Sequence, residues 1–516
     1  MRELGKKGTI IWMKLRIIFP PLLIGAALYS AFAVFRAQEP GALKLLMDSS
    51  NPPSVYDPVS LNYTRDYFFS ENLFSPLVGY SSGNELVSEL AGQFEWAGRE
   101  AVFTMRPGLK TVGGRPIDAF DAEQSLKRAF VLGGTSYSFL GRMLCGRSSL
   151  KNLQDPCPGL EVRDGGRRLV MKLGGPKPFL FHLLTNAAYS VIPRGSVDPA
   201  TLKITDYRNT SGPYYVDADL GLGDMVLRAN PAHYRYSSKM PRQVRIVSLK
   251  KYNTNEESLA TLSGGTADYL SIGLVLKPED KADFAAAHPG YSVHFTRPVR
   301  IIYIVFTDRG LKRLSREERF FIARKLRALY PARRRMNETP HQLFNMEGAL
   351  SRAQLEDVRA RLDGGPELVI NKTVEARRLY SYFWLDGDEI KKWLPGIAYA
   401  DTAPLKDRKN PPKPDFFLLG SDIGYQDDIG LVLYYLDLEF FDLSPEAKEK
   451  WLAAYVACPG KKERMAMLRE LHYKTLAGAR ALPIGLMPYA SLARAPWEFN
   501  YPAAIAGDPL WRLRRK

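Results

Sequence analysis

The segment from Leu90 to Phe130 constrains the fold most, because it predicts a strand, two turns and a helix in close succession. Residues 101–106 alternate between apolar and other side chains, which indicates a half-buried strand. Pro107–Gly108 and Gly113–Gly114 are turn signals. The spacing predicts a helix that opens at Asp118 or Asp121. Its apolar and small residues recur at helical spacing: Ala122, Ser125, Leu126, Ala129 and Phe130.

The same segment resembles a known family. Bacterial extracellular solute-binding proteins of family 5, which feed peptide, oligopeptide or nickel ABC transporters, typically show LA..W, then a strand ending LR.G..F, then DG.P..A.DV..S..R. The matching residues are Leu90, Ala91, Trp96, Met105, Arg106, Gly108, Gly114, Pro116, Ala119, Asp121, Ser125 and Arg128. The resemblance implies a protein that binds and hands over a ligand without transforming it.

Five later landmarks follow in the family's order. They are the turn and strands across 209–234, a helix and buried strand across 257–272, an apolar strand at 301–306 with a helix at 319–330, a strand, helix and turn across 368–398, and a strand at 481–487. Earlier in the chain, 43–47 indicates a first strand and 68–78 a helix. Six ordinary motifs in one order are hard to produce by accident.

Strand and helix signals alternate throughout, which predicts the α/β class. The resemblance implies a two-lobed, periplasmic-binding-protein-like fold of type II, in its large peptide-binding subclass with an extra small domain. The implied division is 1–37 as signal peptide or membrane anchor, 38–74 with 176–255 and 481–516 as lobe I, 75–175 as the extra domain, and 256–480 as lobe II. A length of 516 residues agrees with more than one core.

The N-terminus predicts export. Basic residues precede an apolar run at 17–35, which Arg36 closes, and this order is typical of an export signal and of an oriented anchor. Residues 31–33 (AFA) offer a cleavage site, and Pro20–Pro21 favours a signal. The run is also about long enough to cross a bilayer, so an uncleaved inner-membrane anchor stays open. In both cases the chain from about Gln38 onward is expected in the periplasm.

The formal net charge of +17 does not by itself identify a partner. The basic residues are scattered, and no nucleic-acid-binding motif accompanies them, so no nucleic-acid partner is expected. The charge suits either a solvated surface or attraction to an anionic surface or ligand.

Three cysteines are too few for a disulfide-built scaffold. Cys145 and Cys157 flank a stretch rich in Gly, Pro and Ser, and they suit either a disulfide or two unpaired thiols. Cys458 stays single in both interpretations. No second Cys or His lies at metal-ligand spacing, so no metal site is expected.

Catalytic motifs are lacking in the sequence. The six histidines form no pair at helical spacing, and there is no Gly-x-Ser-x-Gly elbow, phosphate-binding Gly-Lys-Ser/Thr loop or zinc-protease helix. We therefore expect no catalytic residues, no cofactor and no enzyme.

The candidate ligand-binding segment is residues 415–436, where an apolar strand opens into an acidic and aromatic loop. Loops at strand ends between lobes are where open α/β folds bind ligands. The resemblance aligns Tyr425 and Asp427 with the Tyr and second Asp of the family's W..DY.DP element, in which the first Asp grips a free amine. Gly424 stands at that first Asp, and Gly420 or Ser421 at the Trp, so Asp422 or Asp428 would have to substitute.

Two alternatives stay open for the candidate side chains. The carboxylates Asp422, Asp427 and Asp428 either contact ligand or cap the following helix against its dipole. The family's lobe I loop corresponds to 49–56, and Tyr56 and Tyr67 either form aromatic walls of the site or pack into the core.

The resulting hypothesis is a monomeric periplasmic receptor that binds a peptide or another small polar solute between two closing lobes and docks on an inner-membrane ABC permease. Metal chelates, haem and oligosaccharides stay open as cargo, since one fold hosts many ligands. The alternative is a membrane-anchored ligand sensor or interaction protein on the same fold.

Overall fold

The computed structural model describes most of the chain beyond the N-terminal segment. The described residues are 42–48, 56–61, 64–81, 85–133, 135–177, 179–221, 224–249, 267–274, 281–295, 300–334, 340–344, 349–379, 387–401, 414–422, 428–437, 441, 443–458, 460–488, 490–499 and 509–516. The predicted export segment and the helix expected near 257–264 lie outside them.

The described residues form twenty strands in five sheets. The strands are β1 (Ala42–Asp48), β2 (Val78–Tyr80), β3 (Leu86–Ser88), β4 (Ala91–Ala97), β5 (Glu100–Met105), β6 (Leu160–Arg163), β7 (Arg168–Lys172), β8 (Tyr214–Gly221), β9 (Asp224–Ala229), β10 (Gln243–Leu249), β11 (Tyr269–Leu274), β12 (Tyr291–Phe295), β13 (Arg300–Phe306), β14 (Val374–Leu379), β15 (Ile397–Asp401), β16 (Phe416–Asp422), β17 (Ala481–Met487), β18 (Ala490–Arg494), β19 (Trp497–Phe499) and β20 (Leu513–Arg515).

Twelve α-helices accompany them within the same residues. The helices are α1 (Thr64–Leu73), α2 (Ala119–Leu132), α3 (Thr135–Cys145), α4 (Leu180–Leu183), α5 (Lys281–Ala287), α6 (Asp308–Arg313), α7 (Arg316–Arg334), α8 (Arg352–Asp363), α9 (Gly387–Lys391), α10 (Asp428–Asp437), α11 (Pro445–Ala457) and α12 (Lys461–Ala477).

The first sheet has seven strands in the order β12-β18-β11-β1-β10-β9-β8. Its centre is parallel, since β1 pairs in parallel with β10 and β11. Both faces are covered. Leu43 and Leu45 of β1 join one apolar cluster, whereas Leu46 joins another with Phe284 of α5. The alternation of side chains along a strand places consecutive apolar residues on opposite faces.

The second sheet has five strands in the order β15-β14-β16-β13-β17. Every residue of β13 is buried, which fits a central strand covered on both faces. The helix α7 packs against β17, and α12 lies beside the same strand. This sheet is therefore built entirely from the part of the chain between Arg300 and Met487.

The third sheet has four antiparallel strands in the order β4-β5-β7-β6. The alternating burial of β5 and the turn glycines Gly108 and Gly114, both at positive φ, confirm the sequence prediction for this segment. Asp118 caps α2 by accepting from the backbone N–H groups of Phe120 and Asp121. The side chains predicted to face the core on α2 are buried. This block of residues, 85–175, is called the subdomain below.

Most predicted elements are confirmed, and two are wrong. The helix predicted across 68–78 ends at Leu73, where Gly212 approaches so closely that a β-carbon there would lie 2.4 Å from the Leu73 carbonyl carbon. Residues 368–370 form no strand, and Val369 is 62% exposed. The strand in this region is β14, which starts at Val374, after the stretch 364–366 that contains Gly and Pro.

Sheet pairing crosses the boundaries of the expected division into lobes, and that division stays a prediction. The strand β17 was assigned to lobe I, yet it pairs with β13 in the second sheet. The strands β11 and β12 were assigned to lobe II, yet both pair with β18 in the first sheet. The chain order did not reveal this exchange, because strand pairing depends on partners far away in sequence.

Candidate functional site

The chain passes between the first and second sheets at two places. One passage lies between Phe295 of β12 and Arg300 of β13, and the other between Met487 of β17 and Ala490 of β18. The two passages are neighbours, because Phe295 pairs with Ala490 in the first sheet and Arg300 pairs with Met487 in the second. Two adjacent antiparallel connections of this kind let two lobes rotate about one axis.

The carboxyl ends of strands from both sheets lie at these passages. In the first sheet, β12 ends there, and in the second sheet β16 and β17 run antiparallel to β13 and so end where β13 begins. The crevice at the carboxyl ends of strands is the usual ligand site of open α/β sheets. The candidate loop 423–427 leaves the end of β16 at this edge.

In the second sheet, two polar residues at this edge are buried. Arg300 is 7% exposed, and the register pairs it with Asp422. The neighbouring Ser421 is 5% exposed, and its hydroxyl has no hydrogen-bond partner among the described residues. A buried hydroxyl without a partner costs free energy unless something else completes its hydrogen bonding.

The predicted acidic and aromatic loop is only bordered by described residues. Asp422 is the last residue of β16, and Asp428 is the first residue of α10. Tyr425 and Asp427 lie outside the described residues. The structure thus places the two outer candidates at the ends of a five-residue connection, and the choice between ligand contact and helix capping stays a prediction.

Tyr56 packs against the apolar cluster on one face of the first sheet. Its ring centroid lies 4.7 Å from that of Phe69 and 5.4 Å from that of Tyr207, in a perpendicular arrangement with the latter. Burial raises the pKa of Tyr207 to about 12, with the Asp57 carboxylate acting in the same direction. Tyr67 lies on α1 and is half-buried. These contacts are core packing, which is one of the two roles considered for Tyr56. A contact with ligand stays a prediction.

A buried ion pair fixes the chain just after the lobe I loop. Arg128 of α2 is 1% exposed and donates to both carboxylate oxygens of Asp57, one of them at 2.9 Å. Its Nε donates to the Leu202 carbonyl at 2.7 Å. Asp57 also accepts from the Val59 N–H and so caps the short helical turn 58–60. Arg128 therefore connects the subdomain helix α2 to Asp57 and Leu202, which lie outside the subdomain.

The Asp of the same motif is also used structurally. Asp121 is fully buried and accepts hydrogen bonds from the backbone N–H groups of Asp118 and Arg194, at 3.0 and 2.8 Å. It also forms ion pairs with the side chains of Arg115 and Arg194. The most recognisable charged residues of the sequence are thus paired within the protein and hold the subdomain in place.

The one serine–histidine contact found in the described ranges does not suit catalysis. Ser75 Oγ lies 3.3 Å from His233 Nε2. His233 Nδ1 accepts from the Arg235 N–H at 3.2 Å, so Nε2 carries the proton and donates to the serine. Burial lowers the pKa of His233 to about 3, so the ring stays neutral. A ring that donates to the hydroxyl cannot remove its proton.

His472, on helix α12, is likewise a buried histidine that makes structural hydrogen bonds. It is fully buried, and its Nε2 accepts from the Leu343 N–H while Nδ1 donates to the Ala349 carbonyl, both at 3.1 Å. Burial lowers its pKa to about 4. Within the described residues, no cluster of three or more His, Cys, Asp or Glu side chains has the arrangement of a metal site.

Cys145 and Cys157 are joined by a disulfide, and Cys458 is unbridged. The bridge links the end of α3 to the segment before β6. None of the helices in the described ranges has an apolar stretch sufficient to cross a membrane.

Solved structures share this fold over almost the whole chain. Haemophilus influenzae OppA in complex with RPPGFSPFR is 16% identical, and the match covers 93% of this chain and 99% of that one at a TM-score of 0.68. Borrelia burgdorferi OppAIV, a periplasmic oligopeptide-binding protein, is 14% identical over 92% and 100% of the two chains, with a TM-score of 0.71. AgaA from A. tumefaciens R10, in complex with agropinic acid, is 16% identical over 92% and 99%, with a TM-score of 0.69.

No family model matches the chain, and no curated protein sequence matches it significantly. The structural likeness confirms the predicted fold: the chain has the two-lobed α/β fold of these solved structures.

Proposed function

We propose that this protein is the extracytoplasmic substrate-binding component of an ABC transporter, which binds a peptide or a similar extended polar solute between its two lobes. The observation that carries the proposal is the pair of adjacent passages between two sheets, beside which strands of both sheets end. The fold match to proteins that bind RPPGFSPFR, Met-Leu and agropinic acid supports this class of ligand.

Binding would act by closure. A ligand that contacts both lobes binds the closed form better than the open form and shifts the population toward it by that difference in affinity. The closed form would then dock on a permease in the inner membrane. No covalent chemistry is required, and the orientation of His233 toward Ser75 agrees with a protein that is not an enzyme.

We place the two lobes at the sheets. The first sheet with the subdomain would form lobe I, and residues 300–487 around the second sheet would form lobe II. We also infer that the chain is exported, because a disulfide persists in oxidising compartments. We propose that it acts as a monomer. N-terminal sequencing of the mature protein tests the export route. A start near Val34 or Gln38 means that the anchor is removed.

The function is tested by thermal unfolding of the mature protein with a peptide library, with agropinic acid and with oligosaccharides, metal chelates and haem as separate arms. A true ligand stabilises the folded state by mass action, and calorimetry then gives its affinity. The Asp422→Asn variant should weaken binding, whereas Glu356→Gln, on the exposed side of α8, should not. If no compound stabilises the protein, the proposed class of ligand is wrong.

A further inference from the structure

Helix α3 of the subdomain contacts helix α10. Helix α10 follows β16, a strand of the second sheet, and begins directly after the candidate ligand loop. Leu140 and Leu144 of α3 are part of the same continuous apolar core as Val432 and Leu436 of α10. The subdomain therefore contacts both lobes: α2 is tied to the first through Arg128, and α3 contacts the second.

One side of α3 is fixed within the subdomain. Leu140 and Leu144 are buried, and Gly141 faces the Phe130 ring of α2 at close range. At the last turn, the Gly159 N–H donates to the Leu144 carbonyl at 2.7 Å, and a β-carbon at Gly159 would lie 2.4 Å from that oxygen. The chain before β6 is thus held tightly along the end of α3.

The disulfide adds a covalent link at the same place. Cys145 is the last residue of α3, and Cys157 lies two residues before Gly159. Both cysteines are buried. A cross-link restricts the conformations that its two ends can adopt, so this bridge fixes the end of α3 to the third sheet through β6 and β7.

The other side of α3 points to the second lobe. Arg142 donates to Glu449 of α11 at 3.2 Å, and both side chains are more than half exposed. Phe139 and Met143, three residues before and one after Arg142, are partly buried against the core that α3 shares with α10, and the Phe139 ring centroid also lies 5.7 Å from that of Phe179. Residues at this helical spacing lie on one face of a helix.

The helix that receives this face also has partners in its own part of the chain. The Tyr435 hydroxyl of α10 donates to the Leu343 carbonyl at 3.2 Å, and its ring contacts Phe344 at a centroid distance of 5.0 Å. Helix α10 is therefore packed both by these residues and by α3, and its order depends on both contacts.

We propose that α3 is a clamp between the subdomain and the second lobe, and that the Cys145–Cys157 disulfide makes this clamp rigid enough to hold α10 in place. The clamp's consequence for ligand binding rests on the proposed function, but its effect on α10 does not. Loss of the bridge loosens α10, which is more than 270 residues further along the chain.

The test is amide hydrogen exchange of the mature protein without ligand. In the Cys145→Ser/Cys157→Ser variant, exchange across α10 should accelerate at least several-fold, together with exchange across α3. The buried strand β17 of the same second sheet serves as the internal control and should not change. Acceleration confined to α3 and residues 146–160 would overturn the proposal.

A milder set of variants keeps the test informative if the double serine variant folds poorly. Arg142→Glu and Glu449→Arg should each accelerate exchange across α10 and α11 by up to about fivefold, as expected for an exposed ion pair. The combined charge reversal should restore the original rates. Failure of the reversal to restore them would contradict a contact between α3 and α11. All of these rates are independent of ligand, so a failed ligand screen would not affect them.

Discussion

The segment that resembles the solute-binding family and the sheet edge beside the two passages use polar residues in opposite ways. On α2, Arg128 and Asp121 are buried and satisfied by partners within the protein. At the end of β16, the buried Ser421 hydroxyl has no such partner among the described residues. Recognisable sequence motifs of this fold therefore need not contact ligand. A ligand-binding residue is better sought among buried polar groups that lack a hydrogen-bond partner in the described residues.

Removal of Arg128 should give the largest effect. The Arg128→Met variant leaves Asp57 charged and buried without its partner, so the free energy of unfolding should fall by about 3–5 kcal/mol. Urea unfolding measures the loss. The Arg128→Met/Asp57→Leu variant should lose less, because it removes both charges. Arg352→Ala, which removes an exposed pair, should change stability little. Equal losses for Arg128→Met and Arg352→Ala would contradict the comparison.

Acid should reveal a second satisfied group, His472. Its pKa lies at about 4 when folded, below the value of about 6.5 expected when unfolded, so the unfolded chain binds the proton first as pH falls. Stability from this residue is complete above pH 6.5, decreases toward pH 4 by about 3 kcal/mol, and then levels off.

The measurement compares unfolding free energies of the wild type and His472→Gln between pH 7 and 4. The variant should be less stable at neutral pH and should show a shallower decline on acidification. Parallel curves would mean that His472 does not titrate between the two states in this way.

Ser421→Ala should have the smallest effect on stability and a measurable effect on binding. The hydroxyl makes no hydrogen bond to any of the described residues, so its removal should change the free energy of unfolding by less than about 1 kcal/mol in either direction. Calorimetry with a ligand found by the screen should show several-fold weaker affinity. Unchanged affinity, or a loss of stability as large as that of Arg128→Met, would remove the contrast between the two regions.

The sequence located the candidate site only in part. Its loop at the end of β16 was found from an apolar strand followed by acidic and aromatic residues, and Asp422 and Asp428 do border that loop. The pairing of Arg300 with Asp422 was missed, because no local pattern links residues so far apart. A basic residue at the start of a wholly apolar strand was the available signal.

The local elements follow from the amino-acid sequence alone. Alternation defined β5, an apolar run defined β13, and an N-terminal carboxylate with helical spacing defined α2, because turns, caps and periodicity depend on neighbours along the chain. Only the tertiary structure decided which sheet each strand joins. The pairing of β11, β12 and β17 crosses the residue ranges expected for the two lobes, since pairing is selected by non-local register and packing. The same non-local contacts pair the charged side chains of the motif with partners inside the protein.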